Sequence, residues 1–286
     1  MNTKTLKVHT YQGIGDFSWV YSKLVTTGRK LHIIYYRNPR GATKTHDVQR
    51  RCEPFLELLP AVESWEFSNK IDPKTLNRHR PTVQEVLEGD KTIFALNHHL
   101  ESGSRIEAYV PQIATNFHYP INIPQVQYKE ATKQLGGIKD YLLIYASKYA
   151  SVNNWKGWKA REWSEFIKLY REQIADVPVV LTGATYDTDL ASYIAGPNIL
   201  NLVGKTTMGG TIELIKRSRY FISFPSGLAV LATVVKKPVY MFYPPRLGKL
   251  RAAWASPAAL ADHSYLSGHF APPQTVIDTI KRLAPK

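Results

Sequence analysis

A single cysteine, Cys52, among 286 residues leaves no partner for an internal disulfide and no cysteine-only metal cage. It reads as a packing residue on a helix. No run approaches the roughly 18–20 consecutive apolar residues of a membrane span, and the opening MNTKTLKVHT lacks the apolar centre of a signal peptide. These two absences imply a soluble, cytoplasmic protein. Acid is scarce: 23 Asp and Glu stand against 37 Lys and Arg, a formal net charge of +14. Such a balance favours a large polyanionic partner, nucleic acid or an anionic membrane surface, with a generally basic, solubilising surface as the plain alternative. The chain has no nucleophile elbow and no Walker lysine motif. Its turn Gly13-Ile14-Gly15 misses the third glycine of a dinucleotide fingerprint, because position 18 is Ser18, and no acid closes the second strand. Nicotinamide and flavin readings are excluded on that ground. His98-His99 lack further ligands at supporting spacing, so they read as surface or acceptor-contact residues rather than a metal site.

What is present is an alternation of short apolar runs and amphipathic stretches. Residues 6–11 predict a first strand, followed by the turn Gln12–Asp16 and a helix with Phe17, Val20, Tyr21 and Leu24 on one stripe. Further strands are expected at 31–36, 62–67 and 92–96, and a helix ending at Pro60. The region 111–137 reads as a linker with a short helix. A second series then opens: strand 141–146, a helix over 161–174 with Trp163, Phe166, Ile167, Tyr170 and Ile174 on one face, and strands 178–182 and 199–203. The pattern predicts an α/β chain of two doubly wound, Rossmann-like domains facing across a cleft, 1–137 and 138–270. A last helix, within 271–286, is expected to pack back on the first domain.

The most informative stretch is 220–243, YFISFPSGLAVLATVVKKPVYMFY. It predicts a buried strand, a tight turn, an apolar helix and another buried strand. The turn leaves Ser226, Gly227 and Leu228 at a helix N-terminus, where unpaired N–H groups and the positive end of the helix dipole suit a diphosphate.

In order, the second half carries WKGWKAREW, VVLTGATYD, NLVGKTT and FPSGLAVLA. This series resembles the lipopolysaccharide heptosyltransferase family, two-domain transferases of the GT-B fold, across residues 147–245, with a shorter echo in Gly13–Asp16. The resemblance implies a nucleotide-diphosphate sugar as co-substrate, no cofactor and no metal. It implies that Lys156 faces the donor diphosphate, that Ser151 lines the same pocket, and that Asp187, four residues after Gly183, accepts hydrogen bonds from the ribose. Lys205, Thr206 and Thr207 then bracket the base, Ser226, Gly227 and Leu228 hold phosphate, and Asp16 is the catalytic base. Two positions depart from the family pattern: Pro225 stands where an acid precedes the Ser-Gly pair, and Val230 replaces a histidine. The acid is expected to touch the sugar, so the departure implies a changed sugar and acceptor.

Read from the residues alone, each assignment has a plain competitor. Asp16 caps the helix that follows it, or serves as base on an acceptor hydroxyl between Gly13 and Gly15, or both. Lys156 is a solvated loop lysine or a stabiliser of the leaving diphosphate. Asp187 is a ribose ligand or an ordinary first-turn acid. For the acceptor, Arg37, Arg40 and Lys44 on one rim and Arg246, Lys249 and Arg251 on the other suit a polyphosphate backbone. Together with the missing heptose-type residues, they point to DNA carrying a hydroxymethylated base, as in viral DNA-modifying glycosyltransferases of the same architecture. The alternatives are a phosphorylated, lipid-linked saccharide of the lipopolysaccharide core at the inner membrane, and a non-catalytic nucleic-acid-binding module.

Overall fold

Residues buried on both faces of a strand must be apolar throughout, and this is what the short runs supply. The computed structural model describes residues 5–11, 13–36, 52–68, 81–89, 93–95, 103–146, 158–224, 226–242, 265–268 and 271–283. Two compact units divide the chain, one ending at Asn122 and the other beginning at Ile123.

In the first unit, β1 (Leu6–Tyr11), β2 (Leu31–Tyr36), β3 (Val62–Ser68) and β4 (Ile93–Ala95) form a parallel sheet in the order β3-β2-β1-β4. The chain leaves β1 through α1 (Ile14–Leu24), and the predicted stripe of Phe17, Val20, Tyr21 and Leu24 is buried. Ser18, Trp19, Ser22 and Lys23 of α1 are buried as well. Ser18 Oγ lies 2.6 Å from Tyr119 Oη, and the buried Lys23 Nζ donates to the carbonyls of Glu107, Tyr109 and Val110. Ile106, Tyr109, Ile113, Phe117 and Tyr119 are all buried, so 111–122 is a cover for α1 and not a linker. Cys52 is buried, on a helical stretch over 52–56. Glu85 and Thr82 close a capping box on the short helix α2 (Val83–Leu87).

The second unit begins with α3 (Gln125–Gln134) and holds six parallel strands: β5 (Leu142–Tyr145), β6 (Val179–Thr182), β7 (Ile199–Asn201), β8 (Tyr220–Ser223), β9 (Val239–Phe242) and β10 (Tyr265–Gly268). Their order, β10-β9-β8-β5-β6-β7, is that of a doubly wound dinucleotide fold, with the direction of winding reversing between β5 and β8. On one face α4 (Ala160–Gln173) and α8 (Pro273–Leu283) pack together over the sheet. Trp158, Trp163, Phe166 and Tyr170 join Val276, Ile277 and Ile280 there, over Leu142, Ile144, Leu181 and Phe242. The alternate residues, Leu143, Val180, Phe221 and Met241, are equally buried on the other face, where α6 (Met208–Arg217) and α7 (Gly227–Val234) run. α5 (Thr188–Ser192) joins β6 to β7.

Three expectations are corrected. α3 packs on α6, so the boundary falls at 122/123 and not at 137. The last helix sits in the core of the second unit, because its apolar face matches α4; the sequence reading assigns it to the first. β10 is an additional strand: four residues are too few to show a period on their own, and pairing with β9 makes them a strand.

Candidate active site

In an open α/β sheet, ligands bind beyond the carboxyl ends of the strands at the point where the winding reverses. In the second unit that point lies between β5 and β8. The chain leaves β8 through Phe224 and enters α7 with Ser226 as N-cap, in extended backbone at φ −152° and ψ 166°. Ala229 N donates to Ser226 Oγ at 3.2 Å, and Ser223 Oγ, 3.3 Å from Ser226 Oγ, donates to the Phe224 carbonyl at 2.8 Å. The serine hydroxyl is therefore first a cap. As the first two residues of the helix, Gly227 and Leu228 present N–H groups that no preceding helical carbonyl can meet, and all three positions are half-buried. α6 begins differently. Thr207 Oγ1 accepts from Gly210 N at 3.1 Å and Gln127 Oε1 accepts from Gly209 N at 2.9 Å, so protein groups already occupy its N-terminus.

Beside this turn lies a second one, after β6. Gly183 stands at φ +154°, and a Cβ there would lie 3.0 Å from the Tyr145 ring and 3.1 Å from Asp187 Oδ2, so only glycine fits. Tyr145 closes β5. Its hydroxyl donates to Asp187 Oδ2 at 3.1 Å, and Ala184 N donates to the same oxygen at 3.0 Å. Burial, then the neighbouring Tyr186 and Asp187, push the Tyr145 phenol well above its ordinary range, which keeps it protonated and donating. Asp187 is 1% exposed. A carboxylate so enclosed, with Oδ2 taken by a phenol and a backbone N–H, builds the turn. This structural task stands beside the ribose role read from the sequence.

The turn at Lys205–Thr207 is tied to the one at Gly183, since Gly204 N donates to the Gly183 carbonyl at 2.9 Å. Lys205 Nζ donates to the Asn201 carbonyl at 2.9 Å, its own carbonyl accepts from Gln134 Nε2 at 2.6 Å, and the hydroxyls of Thr206 and Thr211 are 2.8 Å apart. Two turns are thus fused side by side next to the N-terminus of α7. Sequence reasoning missed Tyr145 and Thr182. Thr182, paired with Tyr145 in the sheet, is fully buried, and its hydroxyl has no partner among the described residues. A tyrosine ending an apolar strand directly before a loop was the available signal for the first; nothing local marks the second.

In the first unit, α1 starts at Ile14 with Gly13 as N-cap, three residues earlier than the sequence reading places it. Gly15 and Asp16 accordingly lie inside the first turn, and Asp16 is not the cap. Its carboxylate folds back over the cap: Oδ2 would stand 2.7 Å from a Cβ on Gly13. Gly13, Gly15 and Asp16 are all partly exposed at the carboxyl end of β1, beside the reversal point between β1 and β4. Ser151, Lys156, Arg37, Arg40, Lys44, His98, His99, Arg246, Lys249 and Arg251 lie outside the described residues. Among the described residues, no group of three acidic, histidine or cysteine side chains could hold a metal ion.

The architecture defines a class. The structure of the E. coli ADP-heptose lipopolysaccharide heptosyltransferase II matches with a TM-score of 0.62 at 14% identity, covering 97% of this chain and 98% of that one. A glycosyl transferase family 9 protein from Veillonella parvula matches at 0.69 and 12% identity, over 99% and 98%. E. coli heptosyltransferase WaaC with ADP matches at 0.54 and 14%, over 98% of each chain. At these identities the likeness is one of fold: the chain has a GT-B-like glycosyltransferase architecture. The family follows from the sequence itself. The signature of glycosyltransferase family 9 (heptosyltransferase) matches residues 97–258, more than half of the chain, so the chain belongs to that family and is a glycosyltransferase. No curated protein matches it.

Proposed function

We propose that this glycosyltransferase moves a sugar from a nucleotide-diphosphate sugar to a hydroxyl of a phosphorylated, lipid-linked saccharide of the lipopolysaccharide-core type. Membership of family 9 carries this reading. It favours the saccharide over the hydroxymethylated DNA expected from charge, because the structurally similar E. coli protein is an ADP-heptose lipopolysaccharide heptosyltransferase. The net charge of +14 serves a phosphorylated saccharide at an anionic membrane equally well. Among the described residues no helix is long and apolar enough to cross a membrane, and the enzyme is proposed to work at the cytoplasmic face, peripheral to the lipid.

In the proposed reaction, Asp16 takes the proton of the acceptor hydroxyl as its oxygen attacks the anomeric carbon. The bond to the diphosphate breaks on the opposite side of that carbon, and the configuration inverts. Charge growing on the departing nucleoside diphosphate meets the N–H groups of Gly227 and Leu228, the dipole of α7 and the Lys156 ammonium. These groups supply the positive potential the leaving group needs, so the scheme includes no metal and no cofactor. Gly183, Lys205, Thr206 and Thr207 shape the floor for ribose and base, with Asp187 and Tyr145 holding that floor, and Ser151 adds a hydroxyl beside the diphosphate. Gly13 and Gly15 leave room for the acceptor, and His98 and His99 are proposed to contact it. Pro225 and Val230 alter the pocket of the transferred sugar.

The test is incubation with a panel of nucleotide sugars and either truncated lipopolysaccharide or hydroxymethylated DNA, followed by mass spectrometry. A single sugar mass added to the saccharide supports the reading. Addition to the DNA alone would overturn it.

A further inference from the structure

Aromatic rings stand at the carboxyl ends of three neighbouring strands, where the winding of the second sheet reverses. Phe224 follows β8, Tyr145 ends β5, and Tyr186 lies in the single turn Thr185–Asp187 after β6. The Phe224 and Tyr145 ring centroids are 4.6 Å apart. Tyr145 is hydrogen-bonded to Tyr186 as well as to Asp187. Phe224 and Tyr145 are buried, whereas Tyr186 keeps 36% of its surface open. Thr185, just before it, meets the neighbouring turn: a Cβ on Gly204 would lie 3.1 Å from Thr185 Cα. Tyr186 thus sits beside both the Gly183 turn and the Lys205–Thr207 turn, with its hydroxyl drawn back to the end of β5.

Exposure alone carries little meaning: Tyr193 is more open, at 75%, at the end of α5 where the chain turns back to β7. Tyr186 differs in being tied at its tip while part of the ring stays open. A ring held this way gives up little conformational freedom when a flat ligand covers it. We infer that Tyr186 is the platform on which the nucleobase of the sugar donor stacks. The inference rests on the nucleotide-sugar reading above and adds to it the side chain that meets the base. Adjacent strands lie about 4.8 Å apart, so the turn after β6 is roughly 10 Å from the turn after β8. A diphosphate at the α7 terminus therefore places its ribose over the end of β5 and its base over the turns after β6 and β7. Lys205, Thr206 and Thr207 offer backbone and hydroxyl groups to the edge of a base; Tyr186 offers a flat face. Every base has such a face, so stacking supplies affinity and leaves the choice among bases to the groups at its edge. Phe224 and Tyr145, being covered, position Tyr186 and do not themselves meet the ligand.

Calorimetric titration of the full chain with ADP, GDP, UDP and CDP, and with inorganic pyrophosphate, tests the inference. For the nucleotide the parent chain binds most tightly, Tyr186→Leu keeps apolar bulk without a flat face and is expected to lose about tenfold in affinity. Tyr186→Trp is expected to stay within about twofold of the parent. Tyr186→Phe separates stacking from the bond to Tyr145, and is expected to bind nucleotide as Tyr186→Trp does. Pyrophosphate, which has no base, is expected to bind all four chains alike, and that binding also shows that each is folded. Parent-like nucleotide affinity in Tyr186→Leu would overturn the proposal. So would a loss in Tyr186→Phe as deep as in Tyr186→Leu, or an equal loss of pyrophosphate, since either makes the residue a support of the turn. A parent chain that binds pyrophosphate but none of the four nucleotides more tightly would sink the nucleotide-sugar donor itself. Tyr186→Leu binding nucleotide like the parent sinks the platform alone.

Discussion

Asp16 and Gly13 are locked together: the carboxylate of the first residue occupies the space a side chain on the second would need, 2.7 Å from its Cβ position. Gly13 is in extended backbone at φ 175°, so the requirement is one of space and not of backbone strain. A Gly13→Ala substitution is expected to push the carboxylate off its position and leave the helix in place. Misplacing a catalytic group by about 1 Å costs on the order of a hundredfold in rate. Steady-state kinetics should show that loss in kcat with donor affinity unchanged; an unaltered kcat would mean that the carboxylate position does not matter.

The α7 terminus allows a backbone test. Proline fits the first position of a helix, and Ser226 before it already has the extended conformation that precedes proline. Gly227→Pro should keep the helix, remove one N–H and fill the glycine's space. Calorimetric titration with nucleoside diphosphate is expected to show affinity lower by about tenfold, the loss of roughly one charge-assisted hydrogen bond. Unchanged affinity would take the diphosphate away from this helix.

Tyr145, Gly183 and Asp187 are predicted to act on stability before ligand is added. Tyr145→Phe leaves buried Asp187 short of a donor, at a cost of about 1–3 kcal/mol. Gly183→Ala, at φ +154° and against both neighbours, is expected to cost a similar amount or more. Denaturant unfolding of the ligand-free protein checks both. Full stability of Asp187→Asn without ligand, with donor binding lost, would assign Asp187 to the ribose rather than to the turn.

His9, nearly buried in β1, has its pKa pushed down to about 4 by burial, then by the positive charges of His32 and Lys7. Between that value and the ordinary 6.5 the unfolded chain binds the proton and the folded one does not. Its contribution to stability is therefore complete above pH 6.5 and is lost as pH falls towards 4, by at most roughly 3 kcal/mol. His9→Gln should flatten this part of the stability profile relative to the parent chain. Identical slopes would remove His9 as the cause.

What could be read in advance followed from local chemistry. The stripe Phe17–Val20–Tyr21–Leu24 and the Pro-Ser-Gly turn before an apolar helix carry their structural meaning within a few residues. Three things did not. The cover formed by Ile106 to Tyr119 shows no period in the sequence, and its meaning lies in contacts such as Phe117 on Trp19 and Tyr119 on Tyr21. The last helix shows an apolar face but not which partner it meets, and the match with α4 decides that. Asp187 was legible as an acid after a glycine turn; its enclosure by Tyr145 and the backbone was not.

The central claim is that Asp16 deprotonates the acceptor while the second unit independently holds the donor. Asp16→Asn, assayed for sugar transfer by mass spectrometry and for nucleoside diphosphate binding by calorimetry, addresses both halves at once. Transfer is expected to fall by about a hundredfold or more, in the range general base catalysis supplies, with binding unchanged. Transfer at the parent rate would contradict the account.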